Sequence, residues 1–417
     1  MLALYRRMGL ATKITIGMII GLIFGWIFKA HYAAWSVVTD PIGDIFLRLL
    51  MMTILPLIFF SIASGIAGIA DLQRLRQVGG IFLVYWFFSS LFAAVIGLIW
   101  AYIIKPGAGI ILHEKEVFTT EGVDVLRSFI EWIPNNIIAA LADFNILQLI
   151  VFSLFIGFGI VFIGHTDAGK LLSKFVAAGN DLMTRVVEIV MNFAPLGVMC
   201  LMADVTGSLG TEVLTGLTKM LLTQYVAYAT VIVIVYPILL KFFARVNPIQ
   251  HFRNIYPAMI LAFSTCSSSA TLPLTMKVTK ERAGVPEDNV NLIAPPAATI
   301  NMHACAAEMP IYAVFAAQMF GLDLSLGSLA IISFLGVIMA AGVAGVPGGG
   351  IMMAAIMMET MGLPLTIVPW VAGIYRLIDM PNTMLNITGD TVGMVITAAQ
   401  IGDLDRETFD KPKGLTT

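Results

Sequence analysis

The stretch from Pro369 to Thr397, PWVAGIYRLIDMPNTMLNITGDTVGMVIT, decides the fold. Most of it is apolar enough to lie in a bilayer, yet it carries Arg376, Asp379, Asn382, Thr383, Asn386 and Asp390. At the helical period, Asp379, Thr383, Asn386 and Asp390 stand at i, i+4, i+7 and i+11. One side of a helix therefore collects them, with Arg376 a turn earlier on much the same side. An ionised side chain at the centre of a bilayer costs at least about 2.5–3.5 kcal/mol. Asp390 or Arg376 alone could snorkel from a helix end, but Asp379, near the middle, cannot. The stripe predicts a polar binding or translocation site inside the protein.

Outward from this stretch, the rest of the chain agrees that the solvent is lipid. Of 417 residues, 59% are hydrophobic and only 12% are charged, where a soluble domain carries about a quarter. The net charge of −2 suggests no nucleic-acid or acidic partner. Cys200, Cys266 and Cys305 lie in apolar segments without C-x-x-C spacing, so no disulfide framework is indicated. Arg6, Arg7 and Lys13 before an apolar run imitate a signal peptide, but no small-residue cleavage site follows, and the run reads as a first retained helix.

Apolar segments fall near 14–29, 41–70, 79–104, 136–164, 186–206 and 216–243. The second is longer than a perpendicular span needs, which predicts tilt or an interfacial portion. Arg74 and Arg76 follow the second segment, Lys170, Lys174 and Arg185 lie between the fourth and fifth, and Lys241 and Arg245 follow the sixth. The intervening loops near 30–40 and 207–215 carry no Lys or Arg. The positive-inside rule places the N-terminus in the cytoplasm; the protein is expected to be integral to the plasma (cell inner) membrane, with both termini cytoplasmic.

After residue 250 the texture changes. His251–Thr279 is broken by a polar run from Ser264 to Thr271, and Leu326–Met361 by a glycine-rich run from Gly342 to Gly350. Neither half of either stretch reaches the roughly 20 residues that a span requires. Irregular backbone at membrane depth survives only when buried in protein or lining a wet cavity. Two re-entrant helical hairpins satisfy both constraints; the plainer reading is two ordinary spans with weak centres. Each stretch is followed by a span with an Asn-centred break, at Asn301 and at Asn386–Asp390. A hairpin and a span, twice over, form a candidate inverted repeat, whose tips and breaks would offer helix N-termini to anions and freed carbonyls to cations.

FSTCSSSATLP (263–273), PPAATINM (295–302), AGVPGGG (344–350) and IDMPNTMLNITGD (378–390) together resemble the glutamate transporter family, also called the dicarboxylate/amino acid:cation symporters. The likeness extends over almost the whole chain: residues 46–69 resemble the family's second span, KPGAG (105–109) the turn after the third, and 133–160 the fourth. The resemblance implies an all-α polytopic membrane protein with eight transmembrane helices and two re-entrant hairpins, acting as a homotrimer by an elevator mechanism. A scaffold would comprise 1–78 (spans 1 and 2) and 136–214 (spans 4 and 5). A mobile transport domain would comprise span 3 with an outer loop (79–135) and span 6, hairpin 1, span 7, hairpin 2 and span 8 (215–400). A polar tail, 401–417, follows.

Residue by residue, the resemblance implies that Ser268 and Ser269 hold the substrate's main-chain carboxylate and that Gly345 and Val346 belong to the extracellular gate. Asp379 would receive the amino group, with Asn382, Thr383 and Asn386 beside it. Asn301, Asn386 and Asp390, with the carbonyl of Ala297, match one sodium site; the carbonyls of Thr299, Ala340, Ala341 and Val343 match a second. Hard oxygen ligands of these kinds suit an alkali cation.

Three departures from the family pattern matter. Asn382 stands where members that take acidic amino acids carry an arginine, and an amide cannot form the bidentate pair with a carboxylate. Asp379, which the dicarboxylate branch typically lacks, is present. Together these predict a sodium-coupled symporter of a small neutral amino acid. The alternative is sodium- or proton-coupled transport of acidic amino acids or dicarboxylates through Arg376, and a structural Arg376–Asp379 pair reads equally well. Second, His303 replaces the acid of the family's NMDGT, near Ser89 and Ser90, so a third sodium site is lost or converted. Third, Glu308 lies one position before the proton-coupled acid of mammalian relatives. His303 or Glu308 could carry protons, although their five-residue spacing does not put them on one helix face. A zinc site from His303, Cys305 and Glu308 lacks a fourth ligand. An intramembrane hydrolase using Ser267–Ser269 with His303 and Asp379 lacks a G-x-S-x-G elbow, and these serines read better as anion binders at a helix terminus, so no enzyme is expected.

Overall fold

A computed structural model of the chain describes residues 10–67, 78–110, 130, 132–208, 211–342, 348–361 and 365–411. Among these, all regular structure is helical. Helix α1 (Leu10–Ile27) is followed by α2 (Tyr32–Ala67), which is 36 residues long and begins inside the stretch 30–40 that was expected to be a loop. Tertiary contacts explain the extension. Trp35 packs edge-on against Phe24 and Tyr32 and donates from its indole nitrogen to the Phe28 carbonyl at 3.0 Å. These contacts hold the first turns in helix ahead of Pro41, which removes one backbone bond.

Helix α3 (Gly80–Ile104) ends where Lys105 turns left-handed. The expected fourth span, 136–164, is instead two helices, α4 (Ile137–Ala142) and α5 (Ile146–Phe162). Phe144 lies at φ 57°, and the Asn145 side chain accepts from the Gln148 N–H, starting a new helix. Lys170, Lys174 and Arg185 do not lie in a loop: they ride on α6 (Asp167–Met191). One side of α6 buries Gly169, Val176, Gly179, Val187 and Val190, and the polar opposite side hides the helix from a hydropathy reading. It meets α7 (Ala194–Ser208) at 55°. Helix α8 (Thr211–Thr230) continues through wider π-helical turns, Val231–Val235 and Leu240–Ala244.

Among the described residues, three stretches, Lys29–Ala67, Gly80–Ile104 and Leu214–Ala244, are long and apolar enough to cross a membrane, and the bent α6–α7 pair counts as a fourth. The other expected spans are short, as in the apolar stretch Thr12–Ile27, or interrupted or polar, so length and hydropathy do not register them. Close packing joins α1 to α7. A Cβ on Gly17, Gly21 or Gly25 would fall 2.3 Å from the Pro195 carbonyl oxygen, 2.1 Å from that of Met199 or 2.2 Å from that of Ala203. Small residues at this spacing let two helix backbones touch.

Beyond residue 247 the elements shorten. Helices α9 (Pro248–Thr265) and α10 (Ser268–Glu281) fold back on one another. Cys266 sits at φ 54° in the turn, Ser267 caps α10 through the Ala270 N–H, and at the open end Arg282 donates to the Arg253 carbonyl at 3.1 Å. Helices α11 (Glu287–Ile300) and α12 (His303–Phe320) are separated at Asn301–Met302, as the sequence predicts. Helices α13 (Leu326–Ala340) and α14 (Gly349–Thr360) both pack on α12. Residues 343–347 between them, with Val343, Gly345 and Val346, lie outside the described residues.

The long α15 (Val368–Ile401) and short α16 (Arg406–Asp410) complete the described chain. Helix α15 corrects one expectation, because its 34 residues run unbroken through Asn386–Asp390. An asparagine breaks a helix by bonding its own backbone. Asn386 instead turns outward and accepts from the Ala304 N–H at 2.8 Å, capping α12 from across the interface. Helices α8, α9, α11, α12 and α14 surround α15.

Candidate functional site

Every polar member of the α15 stripe is buried: Asp379 is 5% exposed, Asn382 2%, Thr383 4%, Asn386 3% and Asp390 2%. The tip of the α9–α10 turn, the break between α11 and α12, and the start of α14 converge on this stripe. The first turn of a helix carries N–H groups without intrahelical partners, so three such ends create a polar interior.

Asp379 is held loosely. Its Oδ2 accepts from the Gly348 N–H at 3.3 Å, and its Oδ1 from the Tyr375 hydroxyl at 3.5 Å and the Thr383 hydroxyl at 3.4 Å. Tyr375 also accepts from the Gly350 N–H at 2.8 Å, which ties the start of α14 to α15. Bonds this long satisfy a buried carboxylate poorly. Arg376 is only 8% exposed, yet no ion pair joins it to Asp379 among the described residues. Its Nη2 donates to the main-chain carbonyl of Ser264 at 3.3 Å, and its Nε is buried without a partner. The internal Arg376–Asp379 pair is therefore not made, and a cation without a carboxylate partner stands beside the turn between α9 and α10. At that turn Ser268 is buried and Ser269 is exposed, both at the start of α10.

Further along α15, Asp390 accepts from Asn301 Nδ2 at 2.7 Å, while Asn301 Oδ1 is buried without a partner. A carboxylate beside an orphaned amide oxygen is a donor set suited to a hard cation. Ala297 is buried one turn before this break, its carbonyl accepting from the Asn301 N–H at 2.9 Å. Thr299 is half-buried on the same turn. Ala340 and Ala341 lie at the end of α13, where carbonyls run out of helical partners. The side-chain oxygen of Asn386 is committed to α12, so it does not face Asp390.

His303 is fully buried, with Nε2 2.7 Å from the Ser89 hydroxyl and Nδ1 2.8 Å from the Tyr236 hydroxyl. Glu308 turns elsewhere: its Oε1 accepts from the Tyr228 hydroxyl and from Asn382 Nδ2, each at 2.5 Å. Among the described residues no three His, Cys, Asp or Glu side chains gather as a metal site. The ring of His303 is bonded to Ser89 and Tyr236, not to the serines of the first turn.

Sequence reading missed Tyr375, Tyr228 and Tyr236. Tyr375 precedes Asp379 by one helical turn, a spacing that places it on the stripe. Tyr228 and Tyr236 lie in an apolar span and read there as ordinary core.

Buried charges aligned along one membrane helix and met by the ends of broken helices define a secondary transporter. A family model described as the Sodium:dicarboxylate symporter family matches residues 10–400, and the chain belongs to that family. It is similar to the proton/sodium-glutamate symport protein of Bacillus caldotenax, 31% identical over 415 residues that cover 96% of this chain and 97% of the relative. The proton/glutamate-aspartate symporter of Escherichia coli (strain K12) is 28% identical over 96% of this chain and 95% of its own. The C4-dicarboxylate transport protein of Azorhizobium caulinodans is 31% identical over 88% of this chain and 84% of its own. The protein is thus a cation-coupled membrane symporter and not an enzyme.

Proposed function

We propose that this symporter carries an acidic amino acid. The substrate's side-chain carboxylate meets Arg376, its ammonium meets Asp379 beside Thr383, and its main-chain carboxylate lies at the start of α10 with Ser268 and Ser269. The observation that carries the reading is Arg376: a buried guanidinium whose Nη2 reaches only a carbonyl and whose Nε has no partner. A buried cation in that condition is costly until an anion pairs with it. The names of the relatives, which refer to glutamate, aspartate and C4-dicarboxylates, support the same choice. The neutral-substrate expectation rested on Asn382 in place of an arginine together with the presence of Asp379, and Asn382 is engaged by Glu308. The neutral reading keeps one observation in its favour, the weakly bonded Asp379, which an ammonium alone would satisfy.

Sodium is cargo in this reading. Asp390 supplies the formal charge and Asn301 Oδ1 an unused oxygen, with Ala297 and Asn386 alongside; Thr299, Ala340, Ala341 and Val343 contribute carbonyls to a second site. Proton coupling is the companion option, in keeping with relatives named proton/sodium symporters. The α9–α10 and α13–α14 pairs act as re-entrant hairpins among eight spans, Gly345 and Val346 gate the site, and a homotrimeric scaffold lets residues 79–135 and 215–400 move as an elevator.

Uptake of labelled amino acids and small dicarboxylates into proteoliposomes, under imposed Na⁺ or H⁺ gradients, tests this. Saturable uptake of aspartate or glutamate, competed by the other and not by alanine or serine, is expected. Uptake of neutral amino acids alone would return the assignment to the neutral reading.

A further inference from the structure

A chain of hydrogen bonds runs from α12, through α15, back to α12. The Ala304 N–H donates to Asn386 Oδ1 at 2.8 Å, Asn386 Nδ2 donates to Asn382 Oδ1 at 2.7 Å, and Asn382 Nδ2 donates to Glu308 Oε1 at 2.5 Å. All four residues are buried. A side-chain amide can be turned either way unless its neighbours forbid it. Here they do. A backbone N–H can only donate, so Ala304 fixes the oxygen of Asn386, which fixes the oxygen of Asn382, which leaves a donor that must find an acceptor. Glu308 is that acceptor, and the Tyr228 hydroxyl donates to the same oxygen at 2.5 Å.

We infer that Glu308 is a positioning residue for substrate selection, acting through its accepting oxygen to orient the amides of Asn382 and Asn386. With Glu308 present, Asn382 commits its donor to α12, and Asn386 keeps its oxygen there as well. Without Glu308, the Asn382 amide keeps only a long contact from Nδ2 to Cys305 Sγ at 3.7 Å, a weak acceptor, and rotates to find a better partner. The stripe then changes its hydrogen-bonding pattern at the residue one turn from Asp379. Selection is sensitive to this, because a site built for a substrate group penalises whatever leaves its polar atoms unpaired. A glutamine at 308 also offers an oxygen where the relay ends, so the role does not require the acid's charge.

The inference rests on the reading of Asp379 and Thr383 as substrate contacts, and the test separates the two. Unsubstituted protein, Glu308→Gln and Glu308→Met are reconstituted and assayed with aspartate, glutamate, alanine and serine at several pH values. Should Glu308→Met yield no folded protein by gel filtration, Asn382→Leu, which cuts the relay one step earlier, replaces it. The expected result is about a tenfold rise in KM for the transported substrate in Glu308→Met, with Vmax within about threefold. Glu308→Gln is expected to hold KM within about threefold, with an unaltered pH profile and the same substrate ranking. An unchanged KM in the apolar variant would overturn the inference, as would a Glu308→Gln variant that fails as badly and shifts the pH profile. Uptake of neutral amino acids by unsubstituted protein would count against the acidic-substrate reading alone, since the relay is scored on whichever substrate is carried.

Discussion

Arg376 on α15 and Ser264 in the turn-forming end of α9 are joined by a bond of 3.3 Å from the guanidinium to a main-chain carbonyl. A carbonyl supplies a dipole and not the formal charge of a contact ion pair. This contact holds Arg376 next to the serines at the start of α10, so a buried cation and a buried anion of the same helix stay without a contact ion pair between them.

The first prediction concerns that cation. A charge-assisted hydrogen bond is worth about 1.5–3 kcal/mol, which converts to about 10- to 100-fold in affinity. Arg376→Ala should weaken aspartate and glutamate binding by that factor while leaving the protein folded. Competition against labelled aspartate measures it; unchanged affinity would place the second carboxylate elsewhere.

Asp379→Asn separates the two ends of the substrate. Loss of the carboxylate removes the ammonium's partner and should abolish detectable amino-acid uptake. A dicarboxylate without an amino group, such as succinate, should lose far less inhibitory strength. Equal loss for both classes, read from inhibition curves, would argue that Asp379 organises the site and does not touch the amine.

Asp390→Asn addresses the ion. The variant keeps the shape and the neighbouring Asn301 but removes the formal charge that a partly desolvated cation requires. The sodium concentration for half-maximal uptake should rise by at least about tenfold. Uptake whose sodium dependence is unmoved would exclude Asp390 from coupling.

Two glycines test the packing. Gly21→Leu would drive a side chain into the Met199 carbonyl, since even a Cβ falls 2.1 Å from that oxygen. Overpacking of this kind costs about 1–3 kcal/mol, and a lowered unfolding temperature in detergent should report it. A Cβ on Gly350 would lie 2.5 Å from Glu308 Oε2 and 2.5 Å from the Tyr375 hydroxyl. Gly350→Ala should therefore unseat the start of α14 and impair uptake more than it lowers thermal stability; the reverse order of effects would mark the contact as purely structural.

Much of the fold was legible in the residues because its causes are local. The stripe from Asp379 to Asp390 follows from helical spacing, and its burial follows from the cost of charge in lipid. The turn at Cys266–Ser267 follows from a polar run between halves too short to span, and the break at Asn301–Met302 from an asparagine within a span. What tertiary structure alone decided depends on partners far away in the chain. Asn386 does not break α15, because Ala304, 82 residues away, takes its oxygen. Arg376 stays apart from Asp379, one turn along, because Ser264 engages it from α9. Asn382 looks in sequence like a plain substitution within the site; in space it is one link of a relay ending on Glu308, 74 residues distant. Sequence spacing determines which side chains share a helix face. Which of several chemically suitable partners each side chain then meets is settled when the helices pack, and in a buried polar interior that choice sets what remains free for substrate and ion.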